Sequence, residues 1–194
     1  MKRVVFFLTF LVLSLVCFGQ TESEHIKFMG IPIDGTQKAF INKLKAKGFE
    51  QDEMFPRILY GKFAGYSGCR IIIPGDENDF DSSFGMVTVI FPEAKDWEEL
   101  SLTYDNLKRL TTKKYGEPAL ASEEFEKPYV NDSSSKFYEA RMGRCNYVSL
   151  FKVEGGFITI SIDYLKESRI CFVTMKYVDN YKTEEQEREA IDDL

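Results

Sequence analysis

Residues 157–164 read FITISIDY. Ile158, Ile160, Ile162 and Tyr164 fall on one side of an extended chain, and Thr159, Ser161 and Asp163 on the other. Strict alternation of this kind predicts a strand in a sheet with one buried and one wetted face. Immediately before it, VEGGF (153–157) places Gly155 and Gly156 as a two-residue hairpin turn. The turn joins this strand to CNYVSLFKV (145–153), and RICFVTMKYV (169–178) follows as a third strand. Short hairpin connections favour antiparallel pairing, so the expected class is α+β and not a doubly wound parallel sheet. In such a meander Cys145 and Cys171 lie at the same end of the sheet, on either side of the middle strand. Two strand spacings are roughly 9.6 Å, whereas a disulfide needs Cα atoms within roughly 7 Å. These two cysteines are therefore expected not to bond to each other.

Working outward, DGTQKAFINKLKAKGFE (34–50) reads as a helix with both ends marked. Asp34 or Thr36 can cap the first amides, Phe40, Ile41 and Leu44 share a face, and Gly48 suits the left-handed stop. Phe49 then falls where it can pack back on Leu44. A second unit, KDWEELSLTYDNLKRLTTKKYGEP (95–118), repeats the plan. Asp96 with Glu99 forms a capping box, Trp97, Leu100, Tyr104, Leu107 and Leu110 form the apolar stripe, and Gly116 and Pro118 end it. Strand signals follow each helix: RILYGKF (57–63), CRIIIP (69–74) and FGMVTVIF (84–91) after the first, SKFYEARM (135–142) and the three strands above after the second. The expected architecture is a duplicated unit of helix then antiparallel strands, with halves at about 30–92 and 93–178 and both helices on one face of the sheet. The stops at Gly48 and Gly116 are too far apart for a solenoid repeat.

The first twenty residues, MKRVVFFLTFLVLSLVCFGQ, join a basic start to an apolar run too short to span a bilayer. They predict a signal peptide at 1–20, cleaved near Gly19 or Gln20. Cys17 follows Val16, where a lipoprotein signal would carry a small residue. The expected location is periplasmic or extracellular, with no transmembrane segment after cleavage. Without Lys2 and Arg3, 23 basic residues face 31 acidic ones, a net charge of −8. That balance argues against a nucleic-acid surface. A single domain is expected over 21–180. An acidic tail is expected over 181–194, where six acids from Thr183 onward face one arginine.

The exported leader, FMGIPIDGT…FINKLKAKGF and the later W…Y…LK.L…KYGEP together carry a resemblance. The chain resembles small exported bacterial proteins of unknown function whose duplicated helix-plus-sheet layout is similar to that of the β-lactamase inhibitor protein. The matching residues are Gly30, Ile31, Pro32, Asp34, Gly35, Gly48 and Phe49, then Trp97, Tyr104, Tyr115, Gly116 and Pro118. These are turn and core positions, so the resemblance implies architecture and not a target.

Chemistry-bearing patterns are sparse. His25 is the one histidine, beside the expected new N-terminus, which argues against a histidine-based triad or a multi-histidine metal site. The cysteines beyond the leader, Cys69, Cys145 and Cys171, match no zinc spacing, and no Gly-x-Ser-x-Gly elbow occurs. The most polar loop of the sheet region, PGDENDFDSSFG (74–85), gathers Asp76, Glu77, Asp79 and Asp81 around Phe80. Calcium wants several carboxylates, but an EF-hand frame starting at Asp79 puts Phe84 at the obligatory glycine and Ile90 at the bidentate glutamate. The loop is therefore read as an ordinary hairpin loop with hydrated acids, with no metal and no cofactor expected, and Asp76, Glu77, Asp79, Phe80 and Asp81 are kept as the candidate binding residues. Asp163, on the polar side of its strand, is read as solvated. The favoured function is an exported, non-catalytic binding module for an extracytoplasmic protein, acting through a sheet face or hairpin loops. The alternative is an extracytoplasmic hydrolase or metal-dependent enzyme using the acidic loop.

Overall fold

The computed structural model describes residues 25–75, 79–126 and 131–192. A small hairpin of β1 (Lys27–Phe28) and β2 (Ile31–Pro32) precedes helix α1 (Gln37–Ala46). Strands β3 (Glu50–Gln51), β4 (Ile58–Phe63), β5 (Tyr66–Ile72) and β6 (Met86–Ile90) follow. The second half runs through α2 (Trp97–Tyr115), β7 (Leu120–Phe125), α3 (Ser133–Arg141), β8 (Cys145–Val153), β9 (Gly156–Leu165) and β10 (Ile170–Asp179), ending in α4 (Asn180–Asp192). The protein is α+β. One eight-stranded antiparallel sheet has the order β3-β4-β5-β6-β10-β9-β8-β7. In the first half a helix is followed by a four-strand meander; in the second, α3 stands between β7 and β8, and the two sets of four strands meet where β6 pairs with β10. No described helix is long and apolar enough to cross a membrane.

Both helix starts use the side chains the sequence offers. Thr36 Oγ1 accepts the Ala39 amide at 3.2 Å, and Asp96 Oδ1 accepts the Glu99 amide at 2.8 Å, while Glu99 reaches back to the Lys95 amide at 3.0 Å. Gly48 and Gly116 carry φ of 89° and 90°, the left-handed region that a side chain resists. Phe49 returns its amide to the Leu44 carbonyl, and both side chains are buried.

The core lies on one side of the sheet. Phe40, Ile41 and Leu44 of α1 and Trp97, Leu100, Tyr104 and Leu107 of α2 join one cluster with Leu59, Ile71, Val89, Met175, Ile160 and Phe151. Burying each such side chain contributes about 1.5–3 kcal/mol, which is why the helices are held to this face. Ala140 places α3 there too. The stripe of α2 ends at buried Thr111, not Leu110, which is 37% exposed. The steps 97, 100, 104, 107, 111 follow the 3.6-residue period more closely.

Two local expectations are corrected. SKFYEARM is not a strand: it lies in α3, because Asp132 caps the Ser135 amide at 2.9 Å and starts a helix. The strand preceding it is β7, whose polar sequence LASEEF suits a sheet edge, where charge discourages further pairing. The hairpin turn is Glu154–Gly155, with Val153 opposite Gly156. Gly155 takes the positive φ of 77°, whereas Gly156 sits in the strand because a Cβ there would come 2.0 Å from the Val178 carbonyl oxygen. The acidic closing segment forms α4 as far as Asp192. The expected signal peptide lies outside the described residues.

Candidate functional site

The acidic loop splits in two. Asp76 and Glu77 lie outside the described residues. Asp79 and Asp81 are exposed, and their polar atoms serve the turn itself. Asp79 Oδ1 accepts the Asp81 amide at 3.0 Å, and its carbonyl accepts the Ser82 hydroxyl at 2.7 Å. The loop is tied to the start of α1, where the Gln37 and Lys38 amides donate to the carbonyls of Ser82 and Phe80. Gln37 Nε2 also donates to Ser82 Oγ at 2.7 Å. Ordinarily the first amides of a helix lack partners; here the loop supplies them. Among the described residues, no three His, Cys, Asp or Glu side chains gather as a metal site would require.

Phe80 separates from the acids around it. It packs against the core and lies under the Arg57 guanidinium, whose carbon stands 4.8 Å from the ring centroid. Together with Met54, Phe55, Pro56 and Ile58 these two side chains line a cleft of about 400 Å³. Asp52 fixes the segment that lines the cleft: its Oδ1 accepts the amides of Met54 and Phe55, each at 2.8 Å. Those two bonds hold the Asp52 carboxyl below the usual range and turn Met54 and Phe55 outward, 81% and 60% exposed. The sequence reading passed over Met54, Phe55 and Arg57. Its available signal was Asp52 two and three residues before an apolar pair that ends at a proline.

The larger surface is the face of the sheet opposite the core. Strand registers place Tyr60, Arg70, Ile90, Thr174, Ser161, Val148 and Ser122 side by side across seven strands. A second row runs Ile58, Ile72, Thr88, Lys176, Thr159, Leu150 and Leu120. A third, shorter row is Met86, Val178, Phe157 and Lys152. None of these residues belongs to the hydrophobic core cluster. Most are half-buried by their neighbours, and the edges open out, with Tyr60 39% and Leu120 59% exposed. Phe172 is a buried apolar side chain that also stands apart from the core cluster.

Asp163 sits on this face and is half-buried, not simply solvated. It accepts the hydroxyls of Thr174 and Ser161, and those hydroxyls lie 2.9 Å apart. Hydroxyl–carboxylate contacts of this kind fix side chains in place.

The remaining reactive groups serve the fold. His25 Nδ1 lies 3.1 Å from the wholly buried Asp179, whose other oxygen accepts the Ile26 amide at 3.0 Å. This pairing clamps the incoming chain, so that Phe28 stacks on Phe63 and meets Tyr177 edge-on. Cys69, Cys145 and Cys171 are unbonded thiols on the core side. Burial pushes them up to about 11, 12 and 11 respectively, which disfavours the thiolate that nucleophilic chemistry needs.

Comparison with models of known protein families, with curated proteins and with solved structures finds no match to this chain.

Proposed function

We propose that this chain is an exported, non-catalytic protein-interaction module whose binding surface is the sheet face opposite the helices. The observation that carries the reading is that face itself: apolar and hydroxyl side chains in register across seven strands, apart from the core. Six strand spacings span about 29 Å, and three rows make a patch of several hundred Å². That approaches the roughly 800 Å² that each partner buries in a stable complex. Arg70 and Lys176 lie within the rows, so the complementary surface carries carboxylates among apolar groups. The acidic net charge of the chain favours a protein partner over a nucleic acid.

The proposal extends to kinship. A helix and four neighbouring antiparallel strands in each half, with α3 added between β7 and β8 of the second, support a duplicated unit of the kind seen in the β-lactamase inhibitor layout. Overlaying residues 30–92 on 93–178 tests that part, and halves that fail to superpose would remove it.

The functional test is capture from the envelope fraction of the exporting cell, comparing wild type with Thr159→Arg and with Arg109→Glu on the exposed side of α2. A partner identified by mass spectrometry should be lost with the sheet variant and retained with the helix variant. Equal retention by all three proteins would refute the sheet face as the site.

A further inference from the structure

A guanidinium offers five N–H donors in a fixed plane. In Arg57 one nitrogen, Nη1, donates to the Gly75 carbonyl, and Phe80 lies against the group at 4.8 Å. The other edge is different. Nε and Nη2 are both shut off from solvent, and among the described residues neither has a hydrogen-bond partner. Their N–H bonds run parallel, which is the side-on fork that fits the two oxygens of a carboxylate. A shielded cationic edge without an acceptor is costly, so an anion that reaches it is bound more strongly than at a solvated arginine. The neighbouring wall is apolar and outward-facing: Met54, Phe55, Pro56 and Ile58 line the same cleft of about 400 Å³.

We infer that this cleft is a binding site for a carboxylate attached directly to an apolar group, and specifically for the C-terminal residue of a peptide ending in a large apolar side chain. The cleft is small, holding one or two residues, so charge and apolar side chain must share one Cα. A chain-terminal residue satisfies that condition, whereas an internal Asp or Glu would have to bring main chain on both sides. The carboxylate docks on the Nε/Nη2 fork, and the side chain lies against Met54 and Phe55. Both are largely outside the protein surface and can turn to admit it. This inference goes beyond the sheet-face proposal, since the cleft can bind a peptide end whether or not the face takes a protein.

The test uses the full chain with ¹⁵N-labelled arginine, following the Arg57 Nε–Hε resonance in NMR during titration with N-acetyl-phenylalanine. The control ligand is N-acetyl-phenylalanine amide, identical in its apolar group and lacking the charge. The carboxylate should move the resonance in a saturable manner and bind at least about tenfold more tightly than the amide. Arg57→Lys, which keeps charge and loses the fork, should weaken the acid by a similar factor while leaving the melting temperature near that of wild type. Equal binding of acid and amide would overturn the proposal, as would no binding of either. A third contrary outcome concerns the chain's own acids. If Asp76→Asn with Glu77→Gln shifts the Arg57 resonance in the unliganded protein as far as the ligand does, the fork already has an internal partner and the proposal fails. Because the comparison of the two ligands is made on wild type, it stands even if the lysine variant does not fold.

Discussion

The two faces of the one sheet are built from the same strands and behave as opposites. On the core side, side chains from α1 and α2 join those of the strands in one cluster, as where the Tyr104 hydroxyl meets Ser149 Oγ at 2.7 Å and its ring meets Tyr147 edge-on. On the other side no residue of the rows belongs to the core cluster, and isoleucine, valine and leucine are interspersed with Thr, Ser, Arg and Lys. The contrast separates two kinds of half-apolar surface. One is apolar because folding needs it there. The other retains apolar groups that folding leaves half-covered, and that is the property expected of a surface with a partner.

The comparison breaks most readily on stability. Leu107→Ala, on the core face, should cost about 2–5 kcal/mol, whereas Leu150→Ala, half-buried on the open face, should cost less than about 1 kcal/mol. Urea unfolding of both variants checks this, and equal losses would mean that the open face is as much a core as the other. Next in size is Tyr104→Phe. It leaves the wholly buried Ser149 hydroxyl without its partner and should cost about 1–2 kcal/mol. A neutral result would show that water or a shifted side chain replaces the bond.

The thiols sharpen the same comparison through pH. Cys69, Cys145 and Cys171 all belong to the core side, with ionisation raised from an ordinary value of 9.0 to about 11, 12 and 11. The folded state therefore favours the neutral thiol. Its contribution is fully present below about pH 9 and is lost as pH rises toward 11 and above, because the unfolded chain ionises first. Native thiols should accordingly react slowly with an aromatic disulfide reagent at pH 8 and rapidly once denatured. Non-reducing peptide mapping adds a check on strand order, since β9 lies between the strands that carry Cys145 and Cys171. A linked Cys145–Cys171 peptide in high yield would contradict that order.

How much of this was legible in the sequence follows from where local pattern decides structure. The alternation of FITISIDY and the capped helices at 36–48 and 96–116 are local signals, and they suffice for an antiparallel α+β fold. SKFYEARM misled because Phe137 and Tyr138 suit a strand, while the Asp132 cap that starts α3 sits in what reads as a loop. LASEEF was invisible as a strand because β7 buries little and gains its place by pairing with β8 and by the contact of its Glu123 with Lys108 of α2. Glu123 faces the helix side, so its polarity reflects that ion pair and not exposure to solvent alone. At the candidate sites, acidity drew attention to Asp79 and Asp81, whose atoms close a turn. Arg57 escaped notice because a lone arginine acquires meaning only from the atoms around it. Likewise Ile72 and Ile90 lie in continuous apolar runs, where sequence cannot say which residues turn from the core.

The smallest expected effect on stability accompanies the largest on binding: Thr159→Arg should change unfolding free energy by no more than about 0.5 kcal/mol. The most direct measurement is therefore in-cell photo-crosslinking, with a photoreactive residue placed in turn at Ile72, Thr159 and Leu150 on the open face and at Lys43 and Arg109 on the helices. The expected result is one common protein adduct, identified by mass spectrometry, from all three sheet positions and from neither helix position. Adducts from the helix positions with none from the sheet would contradict the open face as the interaction surface.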